Sequence, residues 1–124
     1  MLSRDHLLAQ ICRFFETITK AKQALGDKQY ELLRGIVNEN FNETAVQAYI
    51  EEGDKVLSEE EYQYLLFQSE LLYLQLKLLK TTGQPYTEAS KCYLDLADKL
   101  MKADAVNFNL ALHHQSGLVK KGAF

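Results

Sequence analysis

"YQYLLFQSELLYLQLKLL", residues 62–79, decides the fold. Apolar side chains run nearly all the way round it, interrupted by Gln63, Gln68, Ser69, Glu70, Gln75 and Lys77. A surface helix keeps one wide polar face, whereas a helix apolar on most of its circumference is covered from several sides. At 1.5 Å per residue the stretch reaches about 27 Å. Its polar interruptions argue against a membrane span. The stretch therefore reads as the central helix of a soluble protein.

Its ends are marked in the sequence. "SEEE" at 58–61 is a capping box: the Ser58 hydroxyl can accept from the Glu61 backbone N–H while the Glu61 carboxylate reaches back. At the other end, "TTGQPYTEASKCY", residues 81–93, places Gly83 where a helix stops. Pro85 falls in or just before the first turn of the next helix, where a missing N–H costs little.

Helical periodicity continues on both sides. Leu7, Leu8, Ile11, Phe14, Phe15, Ile18 and Leu25 recur at three and four, with Ser3 as N-cap and an end at Gly26. Asp27 is placed to cap a second helix carrying Tyr30, Leu33, Ile36 and Val37, with Gly35 as a weak spot. Three asparagines between 38 and 42 suit a helix end and a fresh cap. Ala45, Val46, Tyr49 and Ile50 then mark a short helix stopped by Gly53. Beyond the corner, Ala89, Cys92, Tyr93, Leu96, Leu100 and Ala103 form another stripe. A last helix is expected from about Val106 to Ser116, with Phe108, Leu110, Ala111 and Leu112, ending at Gly117. No segment alternates at period two long enough for a strand. The expected fold is an all-α, compact bundle of five or six helices. Residues 1–117 form its single domain, and 118–124 are expected to be a flexible tail.

Composition narrows the function. The chain has 124 residues, which suits one domain with a core of its own. Its formal net charge of −3 supplies no general basic field for nucleic acid or anionic membrane. Residues 38–61 hold eight acidic side chains against Lys55 alone, which reads as a solvated edge or a surface for a basic partner or cation. Cys12 and Cys92 are isolated, without metal-ligand spacing, and read as reduced, packed thiols. The N-terminal stretch is broken by Arg4, Asp5 and His6 and is not a secretory leader, so a cytoplasmic location is the expectation.

Chemistry-bearing motifs are sparse. His113 and His114 are adjacent, and helical neighbours point about 100° apart, so they cannot grip one metal together. With His6 they are the weak metal candidates, with Glu59–Glu61 as further ligands; the plain alternative is surface histidines near a helix C-terminus, where partial charge is welcome. None of the three follows a glutamate by three positions, as paired di-iron helices require. No P-loop, dinucleotide glycine pattern or zinc-protease motif is present. No catalytic residue and no cofactor is assigned, and no enzyme is expected. The tyrosines 62, 64, 73, 86 and 93 suit core or interface packing, or a ligand pocket.

Gly83, Tyr86, Glu88, Ala89 and Tyr93 resemble the turn of a tetratricopeptide repeat, with Pro85 as one extra residue and Leu76 where a small residue would stand. The resemblance implies a TPR-like helix pair in the C-terminal half. "RDHLLAQI" near the start and "LLYLQLKLLKTTG…EASKCYLDLAD" later look similar to a family of uncharacterised small helical proteins from Gram-positive bacteria, with His6 in place of a tyrosine. That family carries no assigned activity and so implies a fold alone. The functional expectation is an interaction module that binds a protein partner or self-associates, as a homodimer for example. Leu71, Leu74, Leu78, Tyr86 and Tyr93 are the expected contact residues, because the central helix has more apolar surface than one layer covers. A small-molecule or metal-binding bundle without catalytic activity is the alternative.

Overall fold

A computed structural model describes residues 4–52, 56–103 and 109–124. Among them lie six helices and no strand: α1 Arg4–Gly26, α2 Tyr30–Asn40, α3 Glu43–Glu51, α4 Glu59–Thr81, α5 Thr87–Ala103 and α6 Leu110–Lys121. The protein is an all-α bundle, as the periodicities require. The expected cap at Ser3, the stop at Gly53 and the residues Val106 and Phe108 lie outside the described residues.

The central helix is α4, which contains 62–79 whole. It packs against α1 and α2 on one side and α5 on another; α6 covers α5, and α3 lies on α5. Two apolar clusters result. The larger joins α3–α6 around Leu72, Tyr73, Leu76, Tyr93, Leu96 and Leu100. The smaller joins α1, α2 and α4 through Ala21, Ala24, Leu33, Val37, Leu74 and Leu78. The alanines let α1 approach closely at its C-terminal end.

The capping box forms as expected: Glu61 N donates to Ser58 Oγ and Ser58 N to a Glu61 carboxylate oxygen, each at 3.1 Å. At the corner, Gly83 adopts φ 72°, a left-handed conformation that glycine takes without strain. Gln84 N donates to Leu79 O at 2.8 Å and Gly83 N to Lys80 O at 3.2 Å, the two bonds of a Schellman closure. Pro85 precedes Tyr86, whose carbonyl accepts the first bond of α5 from Ser90 N at 2.8 Å. Asn42 caps α3 by accepting from Ala45 N at 3.0 Å.

Three expectations are corrected. Asp27 does not cap α2; the N-cap is Gln29, which makes no side-chain bond, and Lys28 takes the left-handed turn at φ 60°. The last helix does not end at Gly117, which lies inside α6; the left-handed stop is Gly122 at φ 67°. Residues 118–124 are accordingly no loose tail. Val119 is buried, and Lys80 Nζ donates to Gly122 O at 2.6 Å and Phe124 O at 2.9 Å. The Phe124 ring lies under that ammonium and meets Tyr86 edge-on at 5.1 Å.

Polar groups inside the bundle bind its loops. Gln68 is fully buried; its Oε1 accepts from Asn42 N at 2.7 Å and its Nε2 donates to Asn40 O at 3.1 Å. It thereby satisfies the backbone where α2 gives way to α3. Lys99 of α5 closes the C-terminal end of α3, donating to the carbonyls of Tyr49 and Ile50 at 2.8 and 3.3 Å and to that of Glu52. An ammonium there also meets the negative end of the helix dipole.

Candidate functional site

The expected contact residues are placed differently from the expectation. Leu71, Leu74, Leu78 and Tyr93 are buried in the chain's own core. Two layers cover α4, not one, and its apolar excess is spent inside. Of the five, only Tyr86 keeps partial exposure, and it packs on Phe124. A contact surface therefore has to be sought elsewhere.

Exposed apolar side chains gather instead along α1. Phe14 and Phe15 are helical neighbours with opposite fates. Phe14 stacks on Phe67 of α4 with centroids 4.4 Å apart and rings 11° from parallel, and it also meets Tyr64 at 6.0 Å. Phe15, about 100° further round the helix, is 72 % exposed. On the same side of α1 stand the exposed Cys12, one turn back, and Leu8, two turns back and 49 % exposed. Leu110, at the first turn of α6, is 72 % exposed as well.

Beside Phe15 runs a groove of about 380 Å³, floored by α4 and walled by α1 and the start of α6. Ile11, Phe15 and Ile18 line one wall, Leu66 and Phe67 the floor, and Ala111 and Leu112 the other wall. The polar residues along it are Thr19, Lys22, Gln63, Ser69, Glu70 and Asn109. Thr19 and Ser69 spend their hydroxyls on Phe15 O and Leu66 O in their own helices, at 2.8 and 2.7 Å. Asn109 accepts from Leu112 N at 3.0 Å and so caps α6.

Glu70 ties the groove to the core. Its Oε1 accepts from Gln115 Nε2 at 3.2 Å, and Gln115 Oε1 accepts from the Tyr93 hydroxyl at 3.2 Å. Glu70 Oε2 is buried without a hydrogen-bond partner. Burial, then the Glu70 charge, then Tyr73 push the Tyr93 hydroxyl well above the ordinary phenol range. Tyr73 is raised by burial and by Glu70 too. Both phenols are therefore neutral at physiological pH, and that of Tyr93 serves as a donor to Gln115.

A second cleft of about 470 Å³ lies among α2–α5 and is more polar, with Glu43, Gln75, Glu88 and Cys92 on its walls. Cys92 accepts a weak bond from Gln47 Nε2 at 3.7 Å. Burial, with Asp95 and Glu43 nearby, raises its thiol. A thiol held protonated is a poor nucleophile, which fits the structural role read from the sequence.

The metal candidates are scattered. His6 stands exposed near the start of α1, and His113 and His114 stand exposed in α6. Because α6 runs on to Lys121, the pair lies in its N-terminal half, not near its C-terminus. Among the described residues, no three His, Cys, Asp or Glu side chains gather where they could hold a metal ion. No described helix is long and apolar enough to cross a membrane. Comparison with family models, with characterised proteins and with solved structures returns no match.

The groove was missed in the sequence because Phe15 shares the stripe of Ile11, Phe14 and Ile18. A stripe this wide signals that a helix packs, not which of its members face solvent. The doublet Phe14–Phe15 was the available signal, since adjacent aromatics cannot share one helical face.

Proposed function

We propose that the protein is a non-catalytic interaction module whose contact surface is the groove between α1, α4 and α6, and that it receives an amphipathic helix from a protein partner. One observation carries this reading: Phe15, 72 % exposed, stands on the wall of a preformed apolar groove, with Leu8 exposed further along α1 and Leu110 exposed at the start of α6. Exposed apolar groups clustered at a concave surface mark binding surfaces, whereas scattered ones do not. An amphipathic helix laid in such a groove seats its anchors at i, i+3, i+4 and i+7.

The test compares proteins captured by the full chain with those captured by Phe15→Ser, each checked by circular dichroism for intact helix content. Partners should be lost on the variant. Retention of every partner would move the contact surface away from α1.

The size of the groove favours a second reading, a small apolar ligand, since such sites hold about 300–1,000 Å³. A melting screen with alkyl and aromatic compounds separates the two. A saturable upward shift abolished by Phe15→Ser supports the ligand.

A further inference from the structure

The chemistry of the groove floor specifies its occupant further, given that the groove receives a helix. Glu70 follows Phe67 by three residues and Leu66 by four, so all three share one face of α4. Gln115 serves one oxygen of its carboxylate and uses its own carbonyl on Tyr93. The other oxygen is buried and has no partner. None of the other polar residues lining the groove serves it. The hydroxyls of Thr19 and Ser69 are committed to their own helices, and Asn109 caps α6. Lys22, the cation among the lining residues, is exposed and forms no ion pair with Glu70.

A wholly apolar occupant would exclude water from this side of the carboxylate and leave it short of a donor, which is costly for a charged group. An occupant that brings an ammonium or guanidinium replaces that cost with a charge-assisted hydrogen bond. The terminal torsion of a glutamate is broad, so either oxygen can turn to meet a donor entering along the floor. The formal net charge of −3 favours approach of a basic partner as well. We infer that the helix received by this groove carries a lysine or arginine within its apolar face, at the position that meets Glu70. The apolar members of that face would pack on Phe15, Leu66 and Ala111. This deepens the interaction-module reading and rests on it.

A display library of helical peptides with an apolar i, i+3, i+4, i+7 face tests the inference, with all residues allowed at each apolar-face position. It is selected on the immobilised full chain and, in parallel, on Glu70→Gln and Phe15→Ser. Lysine or arginine should be enriched at one apolar-face position on the wild type and not on Glu70→Gln. Replacing that residue by norleucine in a selected peptide should weaken binding to the wild type about tenfold, the scale of one lost charged hydrogen bond. The peptide substitution reads the same contact without touching the protein, so a poorly folded Glu70→Gln does not blunt the test. Peptides that depend on Phe15 but show no basic enrichment overturn the inference and leave the groove reading in place. A selection with no dependence on Phe15 overturns both. A dimer seen by light scattering and dispersed by Phe15→Ser gives the groove to a second copy of this chain and overturns the inference.

Discussion

The two ends of α1 carry the same apolar rhythm and meet opposite surroundings. Toward the C-terminus, Ala21 and Ala24 are buried against Leu33 and Val37 of α2 and Leu74 and Leu78 of α4, with Ile18 and Leu25 packed beside them. Toward the N-terminus, Phe14 alone reaches an aromatic partner on α4, while Leu8 and Phe15 stand in solvent. The difference lies in the neighbours. Short α2 covers one end of α1, whereas at the other Leu8 and Phe15 stay exposed. One helix thus supplies core at one end and the wall of an apolar groove at the other. Amphipathic periodicity alone does not separate these roles.

The strongest way to break the contrast is to hollow out the covered end. Leu33 is fully buried between α1 and α4. Leu33→Ala should cost about 2–5 kcal/mol, the range for a leucine removed from a packed core. Chemical denaturation measures the loss. Hydrogen exchange should show amides 18–25 of α1 losing protection first. A loss below about 1 kcal/mol would mean the cluster repacks freely, and the two ends of α1 would be less different than described.

Gln68→Leu comes next. The substitution keeps a similar volume but removes both bonds to the α2–α3 connection, leaving Asn42 N–H and Asn40 O to find other partners. A cost of about 1–3 kcal/mol is expected from two part-buried backbone groups that lose their side-chain partner. An equal or higher midpoint in urea would show that water replaces the side chain there.

These cases show what the residues disclosed in advance. The all-α class, the capping box at Ser58, the corner at Gly83 and the cap at Asn42 were legible, because each depends on local spacing and backbone chemistry. Gln68 was legible only as a polar interruption. Its function depends on a loop 26 residues away in sequence reaching its two ends. The end of α6 was misread at Gly117, since a glycine inside a helix and a glycine that ends one look alike until the left-handed angle is seen at Gly122. Leu71, Leu74, Leu78 and Tyr93, expected at a contact surface, are buried in the core for a tertiary reason: how many neighbours a helix has is not written in its own stripe.

A smaller effect should appear at alkaline pH and test the interior of the larger cluster. Cys92, Tyr73 and Tyr93 are all raised above their ordinary values of 9.0, 10.0 and 10.0, chiefly by burial. A group raised on folding favours the folded state fully while both states are protonated. The unfolded chain ionises first as pH rises, so stability falls from that point onward. Stability should therefore hold level through neutral pH and decline above about pH 9, first through Cys92 and then through the two phenols. Cys92→Ala should delay the onset toward the phenol range. The same protonated thiol predicts slow alkylation of Cys92 at neutral pH while the exposed Cys12 reacts readily, which mass spectrometry resolves site by site.

Phe15→Ser should have the smallest effect on stability and for that reason sharpens the contrast most. A side chain 72 % exposed contributes little apolar burial to the folded chain, so its loss should shift stability by about 0.5 kcal/mol or less. The same change removes the largest exposed apolar group beside the groove and should abolish partner binding. A substitution silent for folding and severe for binding separates a recognition residue from a core residue. If Phe15→Ser instead costs as much as Leu33→Ala, Phe15 is covered in solution by something outside its own fold. A second copy of the chain is then distinguished by concentration: the loss grows as wild-type protein is concentrated, since association stabilises by mass action. A loss independent of concentration would place Phe15 in the chain's own core and remove the groove wall on which the proposed docking depends.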